Sequence, residues 1–322
     1  MCCDLSFLIP MNKKIQKANW KTILKWGGTL VSFALFIWLL TRLDWQAAWS
    51  ILKNMPVYSC ILAILLLFLG QFMNSLRWYV LLKAQNVPIK IFETFKIFLG
   101  GSFASNFLPS TIGGDSLRFL AIAKITNDQP LSLASVILDR VVNLLATCTL
   151  IPFSISVLKT TGININTDLF AFSGLAIFQG KLWNWIKGVV KKYSDLFKSW
   201  TKKPASLILA FGITWISRFI IISSVWVLAN GIGMQLSLWQ VVGVNIVSYF
   251  ITLLPISISG YGLREITTTT LYTMLGATLE QATALAVISR IFSTLVTLPG
   301  VIWMRQIISE TKDIRKTDSV QL

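Results

Sequence analysis

Nearly uncharged apolar runs recur along this chain, and two of them are interrupted at matching places. Runs cover residues 26–41, 57–77, 131–158 (interrupted by Asp139-Arg140 and Pro152), 207–230 and 281–304, with a weaker one at 168–179. They are continuous rather than alternating, so they predict membrane-spanning helices and argue against a β-barrel. Two further stretches, 97–108 and 238–254, run into helix-breaking motifs. The first is Leu108-Pro109-Ser110-Thr111-Ile112-Gly113-Gly114-Asp115-Ser116-Leu117-Arg118. The second is Leu254-Pro255-Ile256-Ser257-Ile258-Ser259-Gly260-Tyr261-Gly262-Leu263-Arg264, 146 positions later, with Pro, Gly, Leu and Arg at the same offsets. Pro and Gly break helices and Arg is costly in hydrocarbon, so paired interruptions predict two hairpins with a site between them.

The expected fold is all-α: a polytopic membrane helix bundle of about six full spans plus two broken or re-entrant hairpins in an inverted repeat. The expected halves are 26–180 and 205–305, preceded by a basic arm at 1–25, joined by a basic loop at 181–204 and followed by a polar tail at 306–322. Arg77-Trp78 is read as closing the second span. The loop carries seven lysines and one acid, Asp195, with Leu182, Ile186, Val189, Tyr193, Leu196, Phe197 and Trp200 at helical spacing. That pattern predicts an amphipathic helix on the membrane surface, with a plain solvated loop as the alternative. Placing every basic segment in the cytoplasm makes 97–123 begin and end inside and 238–275 begin and end outside. This count requires 168–179 to cross the membrane.

Composition agrees with the pattern. The chain is 54% hydrophobic and 13% charged, against about 25% charged in soluble domains. Its formal charge is +16, from 29 Lys and Arg against 13 acids. The basic residues flank the spans, which points to anionic lipid at a cytoplasmic face rather than to nucleic acid. The expected location is the cytoplasmic membrane, with both termini in the cytoplasm. Cys60 and Cys148 lie in apolar runs and read as packing residues; Cys2-Cys3 reads either as an acylation site or as lying ahead of a start at Met11. Pro10 cuts the first apolar stretch too short for a cleavable signal peptide. There is no histidine and no metal-ligand spacing, so neither a metal nor a cofactor is expected.

A hairpin breaking inside the bilayer leaves peptide groups unpaired, and such backbone must line a polar cavity or be covered by protein. Gly113, Gly114, Gly260 and Gly262 permit sharp turns and close approach. Arg118 and Arg264 fall near the starts of the half-helices that follow, where Arg and a helix N-terminus together favour an anion such as phosphate. Residues 135–140 resemble 286–290, which places Arg140 and Arg290 at equivalent points inside two spans. The candidate headgroup-binding residues are therefore Arg118, Arg264, Gly114, Gly260, Arg140 and Arg290. Asp115, Glu265 and Asp139 read as charge-balancing or coupling residues; Arg218 is a weaker candidate. The plainer alternative is two ordinary turns whose arginines snorkel to headgroups.

The residues Asn106 through Asp115 with Arg118, Leu138-Asp139-Arg140, Leu254-Pro255-Ile256-Ser257 through Glu265, and Ser289-Arg290 occur in one order. Together they resemble the flippase-like transmembrane family typified by the membrane region of bifunctional lysylphosphatidylglycerol synthases, over about residues 26–305. The resemblance implies an inner-membrane protein that moves a phospholipid, glycolipid or lipid-linked intermediate between leaflets. It implies as partner a membrane lipid with an anionic or phosphate headgroup. Bifunctional members add an aminoacyl-transferase domain where this chain stops, so aminoacyl transfer is not expected and the chain is not read as an enzyme. The alternative function is a membrane scaffold or accessory subunit for a lipid- or glycan-modifying enzyme, docked through the 181–204 loop. A membrane-embedded transferase using Asp115 or Asp139 is a third, less favoured reading.

Overall fold

The computed structural model describes Gln46, Trp49, Ser50 and residues 53–107, 112–160, 194–253 and 262–304. The expected first span at 26–41, the weak segment at 168–179 and the tips of both hairpin motifs, with Gly260, lie outside these residues. The described residues form an all-α bundle. Its helices are α1 Val57–Ala84, α2 Ile91–Phe107, α3 Ile112–Thr126, α4 Gln129–Cys148, α5 Ile151–Thr160, α6 Ser194–Thr201, α7 Pro204–Gly231, α8 Leu238–Leu253, α9 Leu263–Met274 and α10 Leu279–Thr297. Among them α1, α4, α7 and α10 are long and apolar enough to cross a membrane.

The two halves have the same plan. Helix lengths run 28, 17, 15 and 20 residues in α1–α4, and 28, 16, 12 and 19 in α7–α10. In each half every helix packs on the next, and the fourth returns to the first. The segment after α4, which is α5, packs on α8; the helical residues after α10 pack on α2. Both contacts need glycine. Gly243 faces Val157 and the Phe153 carbonyl, and Gly300 faces the Leu99 carbonyl. A side chain at either would drive the backbones apart.

The halves join along α1 and α7, the most extensive helix pair. Ser217 donates to the Gly70 carbonyl and to Asn74 Oδ1, Gly70 faces Ile221, and Gly231 faces Ser59. The start of α1 thus meets the end of α7, so the two leading helices are antiparallel. Equivalent helices running in opposite directions make the repeat an inverted one.

Local chemistry sets the element ends. Asp128 caps α4 by accepting from Leu131 N–H, and Thr278 with Gln281 forms a reciprocal capping box on α10. Asn86 and Asn127 take the left-handed conformation in the connections after α1 and α3. The last turn of α1 is closed by α6. Trp200 Nε1 donates to the Leu81 carbonyl at 2.8 Å, and Lys203 Nζ donates to the Ala84 carbonyl.

Two details require correction. Arg77 does not end its helix; it lies two turns inside α1, because Asp139 neutralises it there. The run at 131–158 is divided near Pro152, as its sequence predicts, with the break at Thr149–Leu150 and Pro152 in the first turn of α5, whereas Asp139 and Arg140 lie inside α4 without breaking it. Of the expected surface helix, the described part is α6, with Trp200 buried beside Leu81, Ala84 and Ala134. The rest of that segment, up to residue 193, lies outside the described residues.

Candidate functional site

Polar residues are sparse on these helices, and they converge. Gln71, Asn74 and Arg77 recur every three residues on one face of α1. They meet Ser102, Ser105 and Asn106 from α2, Asp115 and Arg118 from α3, and Asp139, Arg140 and Asn143 from α4. The second half adds Arg218 from α7, Arg264 from α9, and Arg290, Ser293 and Thr297 from α10. Together they enclose a polar, partly open cavity of about 320 Å³. Gln71 and Arg218 sit at the midpoints of α1 and α7, whose 28 residues each span about 42 Å at 1.5 Å per residue. The cavity therefore lies at the middle of two helices longer than a hydrocarbon layer about 30 Å thick.

Six arginines line this cavity, and their partners differ. Asp139 is buried at its centre. Its Oδ1 accepts from Arg77 Nε at 2.7 Å and its Oδ2 from Arg118 at 2.8 Å. Arg118 is held further by its guanidinium lying 4.0 Å from the centre of the Trp78 ring and 4.8 Å from that of Phe98. Arg77 and Arg218 share Asn143 Oδ1, at 3.2 and 2.9 Å, and Arg218 also stacks on Tyr249. Asn143 in turn donates to the Tyr249 hydroxyl at 3.3 Å, tying α4 to α8.

The two halves repeat one ion pair. Asp115 on α3 accepts from Arg140 on α4 at 2.8 Å; Glu265 on α9 faces Arg290 on α10 at 3.4 Å. The members of each pair are 150 positions from their counterparts. The motif register is 146, so the ion pairs and the motifs differ by about one helical turn. In this register Glu265 corresponds to Asp115, and Ser289 stands where the first half has Asp139. The central carboxylate is thus present in one half only.

The structure separates Arg118 from Arg264. Arg118 is buried, paired with Asp139 at 2.8 Å and with Asp115 at 3.5 Å, and stacked. Arg264, the second residue of α9, makes no ion pair or side-chain hydrogen bond among the described residues. It lines the main cavity and also a small adjoining one of about 20 Å³, shared with Glu265, Thr268, Tyr272 and Arg290. Glu265 Oε2 is buried there without a hydrogen bond.

Gly113 and Gly114 are not turn residues. Both lie in the first turn of α3, where Gly114 presses on the Gly101 carbonyl and on Ser105 of α2. Gly114 serves close packing and still borders the cavity. Gly262 does take a turn conformation, with φ +77° immediately before α9.

Sequence reasoning missed Arg77, Asn74, Gln71 and Asn143. The three-residue polar spacing on an otherwise apolar α1 was the available signal for the first three. Asn143, three residues past Arg140, continues the polar series on α4.

A comparison with curated proteins finds no match. Residues 25–300 match the model of the lysylphosphatidylglycerol synthase TM region. That match spans both halves and every residue of the cavity, and the chain belongs to this family of multi-pass membrane proteins.

Proposed function

We propose that this protein translocates a lipid with an anionic, phosphate-containing headgroup across the cytoplasmic membrane, with both termini inside. The observation that carries the reading is the arginine-lined cavity at the middle of α1 and α7, built jointly by two antiparallel halves. A polar headgroup cannot cross hydrocarbon unaided, because its phosphate loses its water. Fixed guanidinium groups replace that water with charge-assisted hydrogen bonds, while the acyl chains stay in lipid. Arg264 contacts the phosphate directly. Arg77 and Arg118, locked on Asp139, form a positive wall that holds its shape. Arg140 and Arg290 are each balanced by a carboxylate and line the approach.

Proteoliposomes containing purified protein and fluorescent short-chain lipids, assayed by quenching from outside, test the proposal. Lipid crossing faster than in protein-free vesicles is expected. Arg264→Gln should slow it by roughly 10- to 100-fold, the equivalent of one charge-assisted bond. If no lipid class exceeds the rate in protein-free vesicles, the reading is wrong.

A further inference from the structure

The charges of the cavity do not balance, and the imbalance has a location. Asp139 and Asp115 together offset two of Arg77, Arg118 and Arg140, since Asp115 lies 2.8 Å from Arg140 and 3.5 Å from Arg118, and Glu265 offsets Arg290. Among the described residues Arg218 faces the neutral partners Asn143 and Tyr249, and Arg264 has no ion pair. Among the described residues, six arginines against three carboxylates leave an excess of three positive charges around one cavity. The excess is shared across the junction of the halves: one charge on the linked cluster Arg77–Asp139–Arg118–Asp115–Arg140, one on Arg218 and one on Arg264.

Uncompensated buried charge is costly, and the second half lacks the carboxylate that would reduce it, with Ser289 in place of Asp139. A phosphodiester, with one negative charge, would neutralise a third of the excess. A terminal phosphate or a diphosphate carries two or three. We infer that the cavity selects a headgroup bearing at least two negative charges, a phosphomonoester or a diphosphate, over monoanionic phosphodiesters. The same excess opposes headgroups that carry ammonium groups, which would add like charge. This inference rests on the proposed headgroup role of the cavity and narrows its substrate class.

Two measurements on the full chain test it. In detergent, at fixed ionic strength and pH 8, binding of inorganic pyrophosphate is compared with that of dimethyl phosphate, a monoanionic diester. Pyrophosphate should bind at least about tenfold more tightly, a difference of one charge-assisted contact. Arg264→Gln should remove most of that preference while the protein keeps its melting temperature. Equal binding of the two probes overturns the inference.

In proteoliposomes, labelled phosphatidic acid should cross faster than labelled phosphatidylglycerol. If both cross equally, the selectivity is wrong and translocation stands. If pyrophosphate is preferred in detergent but neither lipid crosses, the cavity is a polyanion site for a soluble ion and the translocation reading fails.

Discussion

At the scale of single residues, Asp139 governs the cavity. It is the carboxylate that bridges Arg77 and Arg118, at 2.7 and 2.8 Å, while Asp115 is farther from Arg118 at 3.5 Å. Asp139→Asn leaves two buried guanidinium groups facing each other, and removing one partner of a buried ion pair costs roughly 3–5 kcal/mol. The variant should melt well below the wild type in detergent, whereas Arg264→Gln, which breaks no pair, should not. Equal melting of Asp139→Asn and wild type would remove the triad from the account. Arg118, Arg140, Arg264, Arg290 and Asp139 were all legible in the sequence, because a charge inside an apolar run stands out. Arg77 was misplaced for the same reason: it was the first charge after a long run and so looked like the end of a span. Its neutralising partner lies 62 residues away, and no local pattern reveals that pairing. Arg218 also has its hydrogen-bond partner on another helix, Asn143 of α4.

At the scale of elements, the close packing of α2 on α3 sets the position of Asp115 and Arg118. A Cβ on Gly114 would overlap the Gly101 carbonyl oxygen and Ser105 Oγ. Gly114→Ala should therefore destabilise the protein by about 1–3 kcal/mol, the usual cost of overpacking. Gly212→Ala is the control: it has open space around it in the middle of α7, and alanine is the better helix former. Its melting temperature should match or exceed the wild type. Melting of Gly114→Ala at the wild-type temperature would mean that the hairpin is loose. The sequence marked both hairpins through their Pro and Gly residues and both uses of glycine, but not which residue serves which: Gly114 gives close approach and Gly262 a turn. A glycine in the first turn of a helix and a glycine in a tight turn look alike in one dimension. The division of 131–158 into α4 and α5 is marked in the sequence by Pro152, which takes the first turn of α5, while Asp139-Arg140 leaves α4 unbroken because both residues are paired.

At the scale of the whole molecule, function depends on two halves of opposite direction sharing one cavity. A Cβ built on Gly231 lies 2.9 Å from Ser59 Cβ, within a small adjustment of the roughly 3.8 Å seen in disulfides. In a background lacking the native cysteines, Ser59→Cys with Gly231→Cys should cross-link on mild oxidation, and Ser59→Cys with Ala205→Cys should not. The reverse outcome would make α1 and α7 parallel and dissolve the inverted repeat. The repeat itself was legible from the paired motifs, but its register was not. The ion pairs Asp115–Arg140 and Glu265–Arg290 follow a spacing one turn longer than the motifs do. The most direct test of a water-filled headgroup cavity between the halves is thiol labelling at Ser102, which lines it from α2. In reconstituted, cysteine-free protein carrying Ser102→Cys, a charged, membrane-impermeant thiol reagent should react. The reaction should slow when phosphatidic acid replaces neutral lipid. A cysteine at 102 that is inert to the reagent from both faces, or whose rate ignores the lipid, would contradict the account.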